Sequence, residues 1–345
     1  MSIKSPMGWL LLSSTFCLLS FAESNLTPSS DTVVVEIDGA KLTYGAFEDK
    51  LSGNIFQARN AFYEAERKAL DEFVDNFLLE REAKKENVTV AELLERHVNS
   101  AIPKDPSEEA LKLYYEVLNT KEPYEKLRPQ MIERLRQLRI AKAKAAYMET
   151  LHSQAKVVVN LTPPRAQFSL KDAMVRGDEK APVTIIEYAD YECPYCQQTQ
   201  PALEKVEAEY KGKIAFAFRD VPLPMHSHAQ KAAEAAHCAG AQGKFWEYHD
   251  MLFSTKQLDV PQLREHARAL NLDVAAFDTC LDSGATAEAV KAQLAEGQAL
   301  HIEGTPSFLI NGRFFNGGMT YEQLRTVVEE ELHRTAEPVK QAANK

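Results

Sequence analysis

Val183-Thr184-Ile185-Ile186-Glu187-Tyr188 leads through Ala189-Asp190-Tyr191-Glu192 into Cys193-Pro194-Tyr195-Cys196. The first six residues are largely β-branched or aromatic and predict a strand, and a helix is predicted from about Pro194 to Tyr210. The cysteine pair therefore sits where a strand hands over to a helix, a context that favours a redox pair over half of a metal site. Cys193 falls at the helix N-terminus, where unpaired N–H groups and the positive end of the helix dipole stabilise a thiolate. Pro194 suits the first helical position, because its missing N–H costs nothing there. The i, i+3 spacing returns Cys196 to the same side one turn later, so Cys193 attacks and Cys196 resolves. Two other readings remain open at this point, a tight structural disulfide and a zinc half-site. The second lacks a further Cys-x-x-Cys or close Cys/His pair to complete four ligands, and no metal ligand set is assigned.

Glu187 stands six residues before Cys193 among Ile185, Ile186 and Tyr188. Buried there, its carboxyl would have a raised pKa and could exchange a proton with Cys196; at a strand edge it would only face water. Tyr195 occupies the place of any cation inside the motif, so thiolate stabilisation leans on backbone dipoles. Downstream, Gly304-Thr305-Pro306-Ser307-Phe308 enters another strand. Pro306 cannot donate to a ladder and suits a cis bond that leaves the Thr305 backbone free to pair with polypeptide.

Further strands are predicted at Ile214 to Phe218, and at Ser307 to Ile310 and Arg313 to Phe315 around Asn311-Gly312, a favoured hairpin turn pair. Between them lies a helical stretch from about His228 to Leu300, and a last helix covers Tyr321 to about His333. Toward the N-terminus, Val33 to Ile37 predicts a strand, Asp38-Gly39 a turn and Lys41-Leu42 a return strand. Thr43 is an N-cap candidate for a helix through Leu51. Helical periodicity then continues to about residue 155. One stripe follows Ala69, Phe73, Phe77 and Glu80, widened by Leu70, Val74, Leu78 and Leu79. Helices are predicted at Val90 to Val98, after Ser107 through Leu118, and from Tyr124 or Pro129 to about Ala155. The last has a stripe of Met131, Leu135, Leu138, Ala145, Met148 and Leu151. Pro163-Pro164 and the polar residues after it read as a linker over 163–178.

The chain has 345 residues, enough for two domains, with 45% hydrophobic and 26% charged residues. A net charge of −10 argues against nucleic acid, whose phosphates call for clustered cations. Lys4, the apolar run Gly8 to Leu19 and Ser20-Phe21-Ala22 have the form of a secretory signal cut after Ala22, giving a periplasmic or otherwise exported product. Residues 8–19 are short for a bilayer span, so anchoring is the lesser reading, and bulky Phe16 disfavours lipidation at Cys17. Removal of 1–22 leaves Cys193, Cys196, Cys238 and Cys280, with three possible pairings. His226-Ser227-His228 reads as polar capping before a helix in preference to a copper site, and Trp246, Tyr248 and Phe253 read as core.

Glu187 to Cys196 and Gly304-Thr305-Pro306 together resemble the DsbA-like branch of the thioredoxin superfamily. Glutaredoxins also carry Cys-Pro-Tyr-Cys, but their cysteine and cis-proline are much closer than positions 193 and 306, a gap that requires an inserted domain. Gln242-Gly243-Lys244-Phe245-Trp246 looks like that family's helical insertion. The resemblance covers about Phe168 to His333. It implies an α/β thioredoxin fold over 179–335, with a helical insertion over about 226–300 and a tail at 336–345. It implies a protein thiol–disulfide oxidoreductase without cofactor, acting on reduced or unfolded exported polypeptides and reoxidised by an unidentified redox partner. Cys193, Cys196, Pro306 and Glu187 would be catalytic, and Thr305, Tyr195 and Pro194 would contact substrate. Some relatives hold a second disulfide in the insertion, so Cys238 and Cys280 are expected to pair. The mostly helical region 32–162 is similar in pattern to the SurA-like chaperone domain, a module that grips unfolded polypeptide or joins copies of the chain into a homo-oligomer. The alternatives are an oligomeric disulfide isomerase or reductase resembling DsbC or ScsC, and a non-enzymatic periplasmic holdase.

Overall fold

Strand β4 (Val183–Ala189) is buried along its whole length, as its apolar sequence demands of a strand covered on both faces. The computed structural model describes residues 29–50, 52–100, 102 and 105–336. The signal sequence, its cleavage after Ala22, Cys17 and the tail beyond Ala336 therefore lie outside the described residues. The chain divides into two compact units, one ending at Ser52 and one starting at Gly53.

In the first unit, β1 (Val33–Ile37) and β2 (Ala40–Thr43) form an antiparallel hairpin. Its turn places Asp38 at φ 49° and Gly39 at φ 84°, the two positive angles of a type I′ connection. Thr43 Oγ1 accepts the Ala46 N–H at 3.3 Å and so caps α1 (Tyr44–Lys50).

The second unit takes α2 (Ser52–Glu86) from Gly53 onward, followed by α3 (Val90–Leu94), which continues as a π-turn over Glu95–Asn99. Thr89 and Glu92 form a reciprocal capping box ahead of α3. Helix α4 (Glu108–Leu118) starts at the Ser107 cap, and α5 (Tyr124–Ser153) begins at Tyr124, with Pro129 accommodated inside it. The expected stripes need correction. Phe73 and Phe77 are 66% and 55% exposed, and Leu138 and Ala145 also face solvent. Leu78, Leu79 and Ala83 of α2 instead pack with Leu93, Met148 and Leu151. At 3.6 residues per turn a strict i, i+4 line drifts around a long helix, so the line through Phe73 leaves the buried face.

The sheet carries the order β3-β5-β4-β6-β7, from β3 (Met174–Gly177), β5 (Ile214–Asp220), β6 (Ser307–Ile310) and β7 (Arg313–Asn316). Only β4 and β5 are parallel, joined through α6 (Pro194–Glu209). The segment read as a linker contributes the edge strand β3, paired antiparallel with β5. Its few residues carry little pattern of their own, and the pairing comes from the neighbouring strand. Val183, Ile185, Ile214 and Phe216 lie under α6 and α12 (Tyr321–Ala336), while Ile186, Tyr188 and Ala217 line the opposite face. At the hairpin tip, Asn311 and Gly312 take φ 48° and 83°. A side chain at Gly312 would begin 2.6 Å from the Ala166 carbonyl, whose own N–H donates to Gly312.

Between β5 and β6 the helices α7 (Ala229–Gly240), α8 (Phe245–Thr255), α9 (Val260–Ala269), α10 (Val274–Ser283) and α11 (Ala287–Ala299) form the inserted block. Cys238 on α7 and Cys280 on α10 are joined by a disulfide, with Cα atoms 5.9 Å apart. Tyr248 and Phe253 are buried and Trp246 partly so. Among the described residues, no helix is long and apolar enough to cross a membrane.

Helix α2 is built into the rear of the sheet. Phe56 packs with Ile186, Tyr188, Leu309 and Phe314, meeting the Phe314 ring edge-on at 6.3 Å. Gln57 Nε2 donates to the Leu300 carbonyl at 2.8 Å, and a Cβ at Gly53 would fall 1.9 Å from the Ala299 carbonyl oxygen. Phe56→Ala should therefore destabilise the sheet-bearing unit by about 3–5 kcal/mol, read as a lowered denaturant midpoint with the tryptophan signal of that unit. A loss under about 1 kcal/mol would mean that α2 is not part of this core.

Candidate active site

Cys193 is the N-cap of α6, extended at φ −70° and ψ 120°, with Pro194 next in the helix. Its N–H donates to the Asp190 carbonyl at 3.1 Å, which draws the loop tight beneath the helix. The Cys193 and Cys196 thiols are unlinked and buried. The Cys193 thiol donates to the Thr305 carbonyl oxygen at 3.3 Å, across a separation of 112 residues. The Thr305–Pro306 bond is cis, and Pro306 is buried beside this contact at the head of β6. Pro194 is exposed, and the Tyr195 ring is 64% exposed over the site.

The two sulfurs are electrostatically unlike. The Cys196 thiol donates to Cys193 and, against the opposing effect of burial, lowers the Cys193 pKa to about 5. The Thr305 side chain and the backbone N–H groups of Cys196 and Tyr195 add to that shift. Cys196 is pushed far above the ordinary thiol range, first by burial, then by its bond to Cys193 and the charge of Glu187.

Strand periodicity explains where Glu187 goes. It shares the parity of Val183 and Ile185, so its side chain turns under α6. It is fully buried, and both carboxyl oxygens accept from Gln200 Nε2 at 3.1 Å. Burial raises its pKa to about 8 despite the Gln200 bond, with the charges of Glu207 and Cys193 contributing. The site thus holds a nucleophile that is ionised near neutrality, a partner thiol that is not, and a carboxyl that still carries its proton there.

Sequence reasoning passed over three participants. Gln200 lies one turn beyond Cys196 on α6, a spacing that could have found it. The buried Asp190 carboxylate accepts from Glu192 N–H at 2.7 Å, Leu223 N–H at 2.8 Å and the His226 ring at Nδ1, 2.7 Å. His226 is therefore the ring that meets the active-site loop, and the capping expectation is corrected: His228 occupies the N-cap of α7, but its side chain makes no capping bond. Nothing in the sequence connects positions 190 and 226, which only folding brings together.

Residues 169–330 match the thioredoxin family. With the helical block between β5 and β6, this region has a thioredoxin-like fold. Over 156 residues, or 45% of this chain, it is 38% identical to a Na(+)/H(+) antiporter NhaA 3 of Salinispora tropica. It is 34% identical over the same length to a Na(+)/H(+) antiporter NhaA of Herminiimonas arsenicoxydans. The match spans only about a quarter of those relatives, 24% and 25% of their length. Among solved structures, BdbD of Bacillus subtilis aligns at TM-score 0.46 and 24% identity, over 49% of this chain and 97% of that one. The catalytic domain of Proteus mirabilis ScsC aligns at TM-score 0.41 and 25% identity, over 47% and 90%.

The shifted groups give opposite pH signatures. The Cys193 pKa is lower folded than unfolded, so the dithiol form gains stability as pH rises from about 5 into the ordinary thiol range and loses it below about 5. The Glu187 pKa is higher folded than unfolded, so its burial costs stability increasingly as pH rises from the ordinary carboxyl range to about 8. The unfolding free energy of the dithiol form minus that of the disulfide form, from denaturant titration, should therefore climb between pH 5 and 8, by at most about 1.4 kcal/mol per unit. Glu187→Gln should separately flatten the decline that Glu187 imposes. A dithiol–disulfide difference independent of pH would show that Cys193 titrates as an ordinary thiol.

Proposed function

We propose that this chain is an exported protein thiol–disulfide oxidoreductase that introduces or exchanges disulfides in folding polypeptides through Cys193 and Cys196. The observation that carries this reading is the Cys193 thiol at the first turn of α6, held to a pKa of about 5 and facing the Thr305 carbonyl. In the disulfide form, a substrate thiolate attacks Cys193 Sγ, the Cys193–Cys196 bond breaks, and its electron pair leaves on Cys196. Glu187, protonated below about 8, supplies the proton that the buried Cys196 sulfur demands. A second substrate thiolate then attacks the sulfur bound to Cys193, leaving an oxidised substrate and a reduced enzyme. Pro194, Tyr195 and Pro306 border the reacting sulfur, and the Thr305 backbone steadies the peptide. A stabilised thiolate favours the reduced enzyme, which makes the protein an oxidant, and an electron-accepting partner must restore the disulfide. Export belongs to the same reading, supported by the signal-like residues 1–22 and by the Cys238–Cys280 disulfide, a bond that persists in oxidising compartments.

A second reading, in which the helical region holds unfolded polypeptide, is favoured by Phe62, Phe73, Phe77, Leu113 and Val117, each more than half exposed. Cys196→Ser should accumulate mixed disulfides with reduced client polypeptides, resolvable by non-reducing electrophoresis, and Cys193→Ser should form none. Equilibration with glutathione should leave the protein mainly reduced where an unstructured dithiol peptide is oxidised. A preference for the disulfide form would favour an isomerase or reductase. Suppressed client aggregation without any trapped adduct would leave the holdase alone.

A further inference from the structure

The Cys-Pro-Tyr-Cys motif contains no cation, yet its loop is anchored on a buried anion. The Asp190 side chain has no solvent exposure, and its carbonyl holds the N–H of Cys193 itself. An isolated carboxylate in that position would be costly and would oppose a second negative charge on the neighbouring sulfur. The neutral N–H groups of Glu192 and Leu223 meet it, and the structure adds one ring that can carry a positive charge. The β5–α7 connection folds back so that the His226 N–H bonds the Leu223 carbonyl at 3.0 Å and the ring meets Asp190 Oδ2 at 2.7 Å. Glu192 completes the clasp by accepting the His228 N–H at 2.7 Å.

We infer that His226, as an imidazolium held against Asp190, is the cation of this active site: it cancels the buried carboxylate and makes room for the Cys193 thiolate. This rests on the reading of Cys193 as the reactive sulfur. The charged groups that face the ring are Asp190 and Glu192 from the catalytic loop and the Cys193 thiolate itself. Burial lowers the affinity of His226 for its proton, but the bond and charge of Asp190 outweigh it, and Cys193 and Glu192 add to the rise. His226 is a positioning residue, acting on the sulfur through Asp190 and through space. When it loses its proton, Asp190 keeps only its two neutral backbone N–H donors, its charge is no longer cancelled and the thiolate is disfavoured, so the reactivity of the site is bounded on the alkaline side by His226.

By reciprocity, if His226 stabilises the thiolate, the thiolate must stabilise protonated His226 by the same free energy. NMR titration of the His226 ring in the unmodified chain, dithiol against disulfide, should place its midpoint higher in the dithiol form, by about half a pH unit or more. Equal midpoints in the two forms would overturn the inference. In parallel, the pH profile of iodoacetamide alkylation of the reduced chain should have a low Cys193 midpoint. His226→Gln should raise it by about one unit, and His226→Lys should restore most of the shift. A low parental midpoint that His226→Gln leaves unmoved defeats the role of His226 while leaving the oxidoreductase reading intact. A parental midpoint in the ordinary thiol range defeats that reading itself.

Discussion

The contact between the Cys193 sulfur and the Thr305 carbonyl, 3.3 Å across, depends on nearly everything else in the second unit. One partner is delivered by the end of β4 and the first turn of α6, the other by the cis bond ahead of β6. They meet because β4 and β6 are antiparallel neighbours, Tyr188 opposite Ser307 and Glu187 opposite Phe308. The register of that one pair sets the distance between a sulfur and the backbone beside it. The five helices between β5 and β6 can therefore intervene in sequence without disturbing the site.

The polarity of the site follows from burial used in two opposite ways. At Glu187 and Cys196 burial is left largely unanswered, so both groups hold their protons. At Asp190 burial is answered by two backbone N–H groups and an imidazole. Glu331 is answered similarly, by the guanidinium groups of Arg165, Arg313 and Arg334. Where partners are present the carboxylate anchors a loop or a strand end; where they are absent the carboxyl keeps its proton, as the proposed transfer to Cys196 requires. Glu187 has only the Gln200 amide, a neutral donor that positions the carboxyl without compensating its charge.

The helical region is attached to this machinery by packing as well as by chain. Phe56 is a core residue of the sheet, and the linker segment reaches the same face through Arg165 and Ala166 on the β6–β7 hairpin. The rear of the sheet is thus closed by residues from outside the thioredoxin-like region. The front, around Tyr195 and Pro194, stays open to solvent. The proposed disulfide exchange would use that asymmetry: the Cys193 sulfur would admit a polypeptide while the carboxyl behind it stays dry.

Residues adjacent in the chain could be interpreted without coordinates. The strand–loop–helix around Cys193, the Asn311-Gly312 hairpin, the Ser107 cap and the helical insertion all follow from spacing and local propensity, which act within a few residues. The burial of Glu187 was foreseeable as one of two options, and strand parity decides for the buried one. The Cys238–Cys280 bond was one of several pairings that the cysteine count allowed. Other features had no local signal. Strand β3 exists because β5 offers it an edge. The exposure of Phe73 and Phe77 depends on where a long helix turns its face, and the Asp190–His226 pair joins loops that meet only at the end of the sheet. Local chemistry thus determined which groups are candidates to react, while the electrostatic surroundings that set their proton affinities were decided by tertiary structure, because charges act through space and burial is a property of the whole fold.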